Sequence, residues 1–370
     1  MPSPIAVMSF NRPEMLEEVL YSLKEQRGGA IEGHELHLFQ DGAVNRYSRI
    51  QYADPADIEK CVAVFRKLFP NGKVHRSGDN IGVCENFQRA ETYFFAERGV
   101  DCAYFFEDDL LLSPVYLHMM DILRRYAEAS PRIAYFAAYG DFYAAPEEVR
   151  KRRREVITID HHWGFGLLRR HWEAIDAGLA AYYKLVIGQD YSRRDHRAIF
   201  AHYRALQASP RGSSQDAAKA FVCDRLGLWR CRTFAPFARY IGATGAHMTR
   251  EAYQQLGFAK TVVEQKVIDD LEFPDAAKID GFLAAQRQLF VDVYRNELPG
   301  MMERLPAKQF NPMRLCTAED VRAAYHLLLS REPETQAIVD QHAGKTHVYP
   351  LLRGILASEE FNKLNGRVKG

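Results

Sequence analysis

From residue 4 to residue 140 the chain alternates apolar runs of strand length with segments of helical periodicity. Elements in that order bury their apolar faces by forming a largely parallel sheet wrapped by helices. "PIAVMSF" (4–10) reads as a first strand and "RPEMLEEVLYSLKEQ" as the helix after it, with Pro13 near its start. "HELHLFQDG" is a second strand ending at Asp41-Gly42. "DPADIEKCVAVFRKLFP" is a helix capped by Asp54, with Pro55 in its first position. "GKVHRS", "DCAYFFEDD" and "PRIAYFAAYGD" continue the strands. "GVCENFQRAETYFFAERG", closed by Gly99, and "SPVYLHMMDILRRYAEAS" continue the helices.

Ligands of such sheets bind beyond the carboxyl ends of the strands. Three strand ends here are polar: Asn11-Arg12, Asp41, and the consecutive carboxylates Glu107, Asp108 and Asp109. They are expected to meet in one crevice. Three adjacent negative charges repel unless a cation or a hydrogen-bonded ligand sits among them, and hard divalent cations favour such oxygen donors. The plainer reading is a solvated acidic turn that caps the helix from Ser113.

The second half breaks the alternation. "REVITIDHHWGFGLLRRHWEAI" reads as strand, Gly/Trp-rich bend and helix. Residues 188–215, polar and Gly/Ser-rich near their end, suggest a mobile segment holding a short helix. "CRTFAPFARYIGATGAHMT" reads as strand, turn and a glycine-flanked histidine, His247. Long helices are expected over 259–304, and a linker at "LPAKQFNPMRLC". The expected division is a domain over 1–258, a helical extension and linker over 259–312, and a small helical unit over 313–370.

The net charge of +1 argues against nucleic acid as a partner. The N-terminus lacks a signal-peptide pattern, and no apolar run of about 18 residues spans a membrane. The six cysteines form no CxxC pair and read as reduced core thiols, so a cytoplasmic protein is expected. The basic runs "RKRRRE" (150–155) and "SRRDHR" (192–197) read first as solvated surface. The first also suits an anionic acceptor or peripheral contact with a membrane.

Taken together, "PIAVMSFNRPEMLEEVLYSL", "LHLFQDGA", "CAYFFEDDLLLSPVYLHMM" and "WGFGLLRRHW" resemble glycosyltransferases of the GT-A fold. The nearest pattern is the inverting N-acetylglucosaminyltransferase I type, in which Glu-Asp-Asp replaces the commoner Asp-x-Asp. The resemblance covers residues 4–250. It implies a Rossmann-like αβα sandwich and transfer of a GlcNAc-like hexose from a UDP-sugar to a glycan, lipid-linked or protein acceptor. It further implies that Arg12 contacts the nucleotide phosphates, Asp41 the uracil, Glu107 and Asp108 the ribose and sugar, and Asp109 a Mn2+ or Mg2+ ion. His247 is a second candidate for the metal or the diphosphate, with a packed or surface histidine as its plain reading. Trp163 and Phe165, in the glycine-bounded bend, are candidates for stacking on a sugar face, and a core bend is the plain reading of the pair.

Inverting transfer needs a carboxylate to take the acceptor's proton on the face opposite the leaving diphosphate. Asp216 in "GSSQDAAKAF" falls where the family places its base, between the "WGxG" segment and the "RTF" strand, although the family's Trp-Asp-Asp is replaced by "SSQD". Asp190 and Asp224 are alternatives, and a helix cap is the plain reading of Asp216. A nucleotidyltransferase of similar sheet is disfavoured because "SFNRPEM" is not a glycine-rich phosphate loop. A non-catalytic carbohydrate-binding scaffold is disfavoured because it has no use for a repelling triplet. The tail, with "Y…LL.REP" and "L.SEEF" elements, resembles a small helical domain of bacterial surface and glycosylation proteins, which suggests acceptor docking or assembly.

Overall fold

A computed structural model describes residues 2–243, 249–305 and 315–364. An eight-stranded sheet forms the centre. Its strands are β1 (Ile5–Ser9), β2 (Leu36–Gln40), β3 (Lys73–Arg76), β4 (Cys102–Glu107), β6 (Ile133–Ala137), β7 (Val156–Thr158), β8 (Phe165–Leu168) and β9 (Trp229–Thr233), in the order β3-β2-β1-β4-β8-β6-β9-β7. β5 (Leu110–Leu112) and β10 (Ala238–Tyr240) form a separate antiparallel ribbon. Within the large sheet only β8 and β7 run against the common direction. β1, β2, β6, β8 and β9 are buried along their whole length, which requires cover on both faces and makes the domain an αβα sandwich. The edge strand β3 is partly exposed.

The chain winds outward from β1 to β2 and β3, then crosses back to place β4 on the other flank of β1. The carboxyl ends of β1 and β4 therefore bracket the point where the winding reverses, the usual crevice of such a sheet. The register brings the polar strand ends level: Ser9 pairs with Gln40, and Met8 with Glu107.

Three departures from the sequence reading matter. β8 was not anticipated as a strand of the main sheet; it inserts antiparallel between β4 and β6. Gly164 permits this entry: its φ is +51°, and a Cβ would stand 2.6 Å from the Tyr116 hydroxyl, which donates to the Gly164 carbonyl (2.7 Å). Residues 188–215 are bonded into the body, not free of it. The Tyr182 hydroxyl donates to Ser213 O, the Gln215 amide donates to the Tyr191 hydroxyl, and Ser209 is buried. Finally, the helix Gln215–Arg225 is capped by Ser214, whose hydroxyl accepts from Ala217 N, so Asp216 lies inside the first turn.

Beyond residue 258, the helix Ala276–Asp292 continues through a π-turn, Val293–Glu297, into Leu298–Arg304. Ile268, Leu271, Ile279, Leu283, Phe290 and Leu298 join the main core. Cys316, Val321, Ala324, Leu329, Val339, Val348, Leu351 and Ile355 make a second core. Its first helix, Ala318–Leu329, opens with a reciprocal cap between Thr317 and Asp320. All six cysteines are buried and free of disulfides. No helix among the described residues is long and apolar enough to cross a membrane.

Candidate active site

The acidic triplet lies at the reversal point. Glu107 ends β4, and Asp108 and Asp109 form the turn into β5. Asp108 and Asp109 are buried. The Arg12 guanidinium, delivered by the turn after β1, bridges the two: Nη2 pairs with Asp108 Oδ1 and, at 2.8 Å, with Asp109 Oδ2. Burial alone depresses the Arg12 pKa, but the charges of Asp108 and Asp109 outweigh it and raise it. Burial pushes Asp109 up to about 6 against the opposing charge of Arg12. Glu107 is driven well above the carboxylate range by burial, then by the charges of Asp109, Asp216 and Asp108. One guanidinium thus pairs with two of the three carboxylates, and a fourth is close enough to act on Glu107.

That fourth is Asp216. Its side chain is 31% exposed, and Oδ1 stands 3.8 Å from Nδ1 of the buried His162. The alternatives are occupied elsewhere. Asp190 accepts from Ser48, Tyr52 and Ser192, tying the 45–52 loop to the turn it caps. Asp224, at the far end of the same helix, faces Arg287 at 3.8 Å.

Asp41 has a different task from the one its strand-end position suggested. Oδ1 accepts from the amides of Gly42 and Ile81 (2.9 and 2.8 Å). Oδ2 accepts from the Gly82 amide and Asn80 Nδ2 (3.0 and 2.9 Å). A carboxylate offers about four lone-pair sites, and these donors fill them, so none is left for a uracil N–H. Burial raises the Asp41 pKa to about 6 while the backbone donors pull it down. The residue is a hub for the 79–82 loop, which passes so close that a Cβ on Gly42 would lie 2.4 Å from the Asp79 carbonyl carbon. Asp41→Ala strands several buried donors at about 1–3 kcal/mol each. We expect a loss on the order of 2–4 kcal/mol by chemical denaturation; a wild-type midpoint would remove the hub role. The acceptor atom left over at this strand end belongs to Gln40. Its Nε2 donates to Phe10 O and Asp41 O, while Oε1 is buried without a partner.

Phe165 is also reassigned. It is 1% exposed and stacked on Phe105 (5.1 Å, 18°), so it packs the core and offers no face to a sugar. Trp163 is half-buried and stacks on His161 (4.7 Å, 15°) and Tyr240 (4.8 Å, 8°), which engages its indole within the protein. Tyr143, 54% exposed and packed on Phe142, is the open edge of this aromatic cluster. Tyr240 links the cluster to the carboxylates: burial and then the Asp109 charge raise its pKa.

His247 lies outside the described residues. The chain approaching it starts beside the triplet, where Ile241 N donates to Asp109 O (2.8 Å). Among the described residues no group of three or more His, Cys, Asp or Glu side chains is arranged to hold a metal ion. The basic run at 150–155 is largely neutralised: Arg152 pairs with Glu148 and Glu155, Arg153 with Glu264, and Arg154 with Asp270 and Glu272.

Sequence reasoning passed over two buried features beside Asp216. One is His162. The other is the ion pair of Lys219 and Glu91 (Nζ to Oε1, 2.5 Å), with Lys219 also 5.1 Å from the Phe87 ring centre. A lysine three residues after Asp216 shares its helix face, and that was the one available signal.

No protein-family model matches the chain, and no curated protein matches it. Similar solved structures include residues 1–349 of S. aureus TarS in complex with UDP-GlcNAc, at 12% identity and a TM-score of 0.44, covering 100% of this chain and 93% of that one. Longer S. aureus TarS is similar at 13% identity and a TM-score of 0.39, covering 99% of this chain and 54% of that one. Glucosyl-3-phosphoglycerate synthase from Mycobacterium tuberculosis, in complex with Mn2+, UDP and phosphoglyceric acid, is similar at 12% identity and a TM-score of 0.30, covering 55% of this chain and 65% of that one. These likenesses are too distant to assign a role to any residue here, and the functional reading rests on this chain's own geometry.

Proposed function

We propose that the chain is a metal-dependent, inverting glycosyltransferase that moves a sugar from a UDP-sugar to a hydroxyl acceptor. One observation carries this: Glu107, Asp108 and Asp109 lie together at the β1/β4 reversal point, and Arg12 is paired with Asp108 and Asp109. Such a site has an excess of negative charge and hard oxygen donors, which suits Mn2+ or Mg2+. Asp109, with Asp108 beside it, is the group we assign to the ion, and His247 a second candidate. When bound, the ion offsets the charge of the leaving diphosphate.

The remaining roles fall to the chain's own groups. Arg12 makes both carboxylate contacts through Nη2, which leaves Nη1 and Nε for phosphate oxygens. Glu107 can accept from ribose or sugar hydroxyls. Asp216 receives the acceptor's hydroxyl proton as the acceptor oxygen bonds the anomeric carbon and UDP departs. The aromatic cluster at Trp163 and Tyr143 borders the acceptor side.

The finer choice of a GlcNAc-like donor follows from the Glu-Asp-Asp resemblance. We place the protein in the cytoplasm, a reducing compartment suited to six buried cysteines. We take residues 1–258 as catalytic, 259–312 as the packed extension with linker, and 313–370 as a unit for acceptor docking or assembly.

Thermal unfolding tests the site. UDP with Mn2+ is expected to raise Tm above UDP alone, and Asp109→Ala to abolish the Mn2+-dependent part. An undiminished Mn2+ increment in Asp109→Ala would sink the metal assignment.

A further inference from the structure

His162 is enclosed by the core, yet neither ring nitrogen has a partner. Its side chain is 1% exposed, and Nδ1 and Nε2 are both buried without a hydrogen bond. The ring stands edge-on to Tyr135 (4.7 Å, 72°) and Phe165 (5.7 Å, 83°), a setting that phenylalanine would fill without leaving polar atoms unpaired. Buried polar atoms are nearly always satisfied, and an exception calls for a reason. The carboxylate opposite Nδ1 is Asp216 Oδ1, at 3.8 Å, just beyond hydrogen-bond range. Burial first, then the charges of Arg230, Lys219 and His161, keep the imidazole neutral, so it carries a single N–H. An ionised carboxylate facing Nδ1 favours that proton on Nδ1.

We propose that His162 is a positioning residue for Asp216: its Nδ1–H closes onto Asp216 Oδ1 and turns Oδ2 toward the acceptor hydroxyl. This rests on the reading of Asp216 as the base. In the reaction, the acceptor's proton passes to Oδ2, the acceptor oxygen bonds the anomeric carbon, and the bond from that carbon to the diphosphate breaks. His162 neither gains nor loses a proton. It selects which carboxylate oxygen is free to receive one. The other charges facing the pair are Lys219 on the same helix, Glu107 at the end of β4, Arg230 on β9 and the neighbouring His161; the variants below leave these in place.

The test uses His162→Phe and His162→Asn in the full chain. The phenylalanine variant removes two unpaired nitrogens, so it is expected to melt at or above the wild-type temperature and to keep the KM for the UDP-sugar. Its kcat is expected to fall ~10–100-fold, the usual effect of losing an orienting partner. Asparagine can place an amide N–H near the Nδ1 position and is expected to recover part of kcat. Wild-type kcat in His162→Phe would overturn the proposal.

A second readout is independent of turnover. Nitrogen-15 NMR of the imidazoles, with His162 assigned by its loss in His162→Phe, should show the Nδ1–H tautomer in the wild type. Asp216→Ala should release it to the commoner Nε2–H form. An Nε2–H tautomer in the wild type overturns the pairing whatever the activity. An Nδ1–H tautomer in a protein that transfers no sugar would instead uphold the pairing and fault the reading of Asp216 as a base.

Discussion

Lys219→Met is expected to destabilise the protein by about 3–5 kcal/mol, because it leaves the Glu91 carboxylate buried without its counter-charge. Lys219 and Glu91 have side chains 3% and 2% exposed and meet at 2.5 Å. Methionine keeps most of the aliphatic stem, so the packing against Phe87 and Phe165 largely survives and the charge is what changes. Removing both charges should therefore undo most of the damage: Lys219→Met combined with Glu91→Leu is expected to recover most of the loss, since well-packed apolar replacements of buried pairs are often neutral. Urea denaturation of the two single variants and the double variant gives the coupling directly. A single-variant loss below about 1 kcal/mol, or a double variant no better than Lys219→Met, would mean that the pair does not anchor this region. The anchor matters for function because Lys219 lies in the helix Gln215–Arg225, one turn beyond Asp216.

The parts of this fold that were legible in the sequence are those where local pattern and burial agree. β1, β2 and β4 are continuous apolar runs ended by polar residues, and their parallel register alone brings Arg12 to the acidic triplet. What stayed hidden depends on partners distant in the chain. Asp41 looked free because its strand end faces the crevice, but its donors come mainly from Asn80, Ile81 and Gly82, forty residues away in the sequence. Lys219 and Glu91 each sit on a helix, where a charge reads as solvated until the two helices meet. "FGLL" is too short and too glycine-rich to announce a strand. Only the space beside Phe136, where a Cβ on Gly166 would fall 2.3 Å from the ring, explains its composition. The Ser/Gly-rich stretch before Asp216 misled in the opposite direction. Its composition suggests freedom, but the hydroxyls of Tyr182 and Tyr191 hold it.

Asp216→Asn is expected to cut sugar transfer by roughly 10²–10⁴-fold, the span typical of losing a general base, while UDP-sugar binding stays near the wild-type value. Asparagine preserves shape and hydrogen bonding but cannot take a proton, so the loss should fall on kcat and not on donor affinity. Removing the Asp216 charge also lifts one of the repulsions acting on Glu107, which gives no reason for the donor to bind more weakly. The capping of this helix by Ser214 separates chemistry from folding: Asp216 is not the cap, so the variant should keep a near-wild-type melting temperature. The stereochemistry follows from the same role. A base that delivers the acceptor oxygen from the face opposite the diphosphate inverts the anomeric centre, so an α-linked UDP-sugar should give a β product, read from the anomeric coupling constant by NMR. Near-normal turnover in Asp216→Asn would return the role to Asp190 or Asp224, although the bonds from Ser48, Tyr52 and Ser192 tie Asp190 into the loops around it. An α product would exclude a single displacement and with it the need for a base at Asp216, whatever the variant's rate.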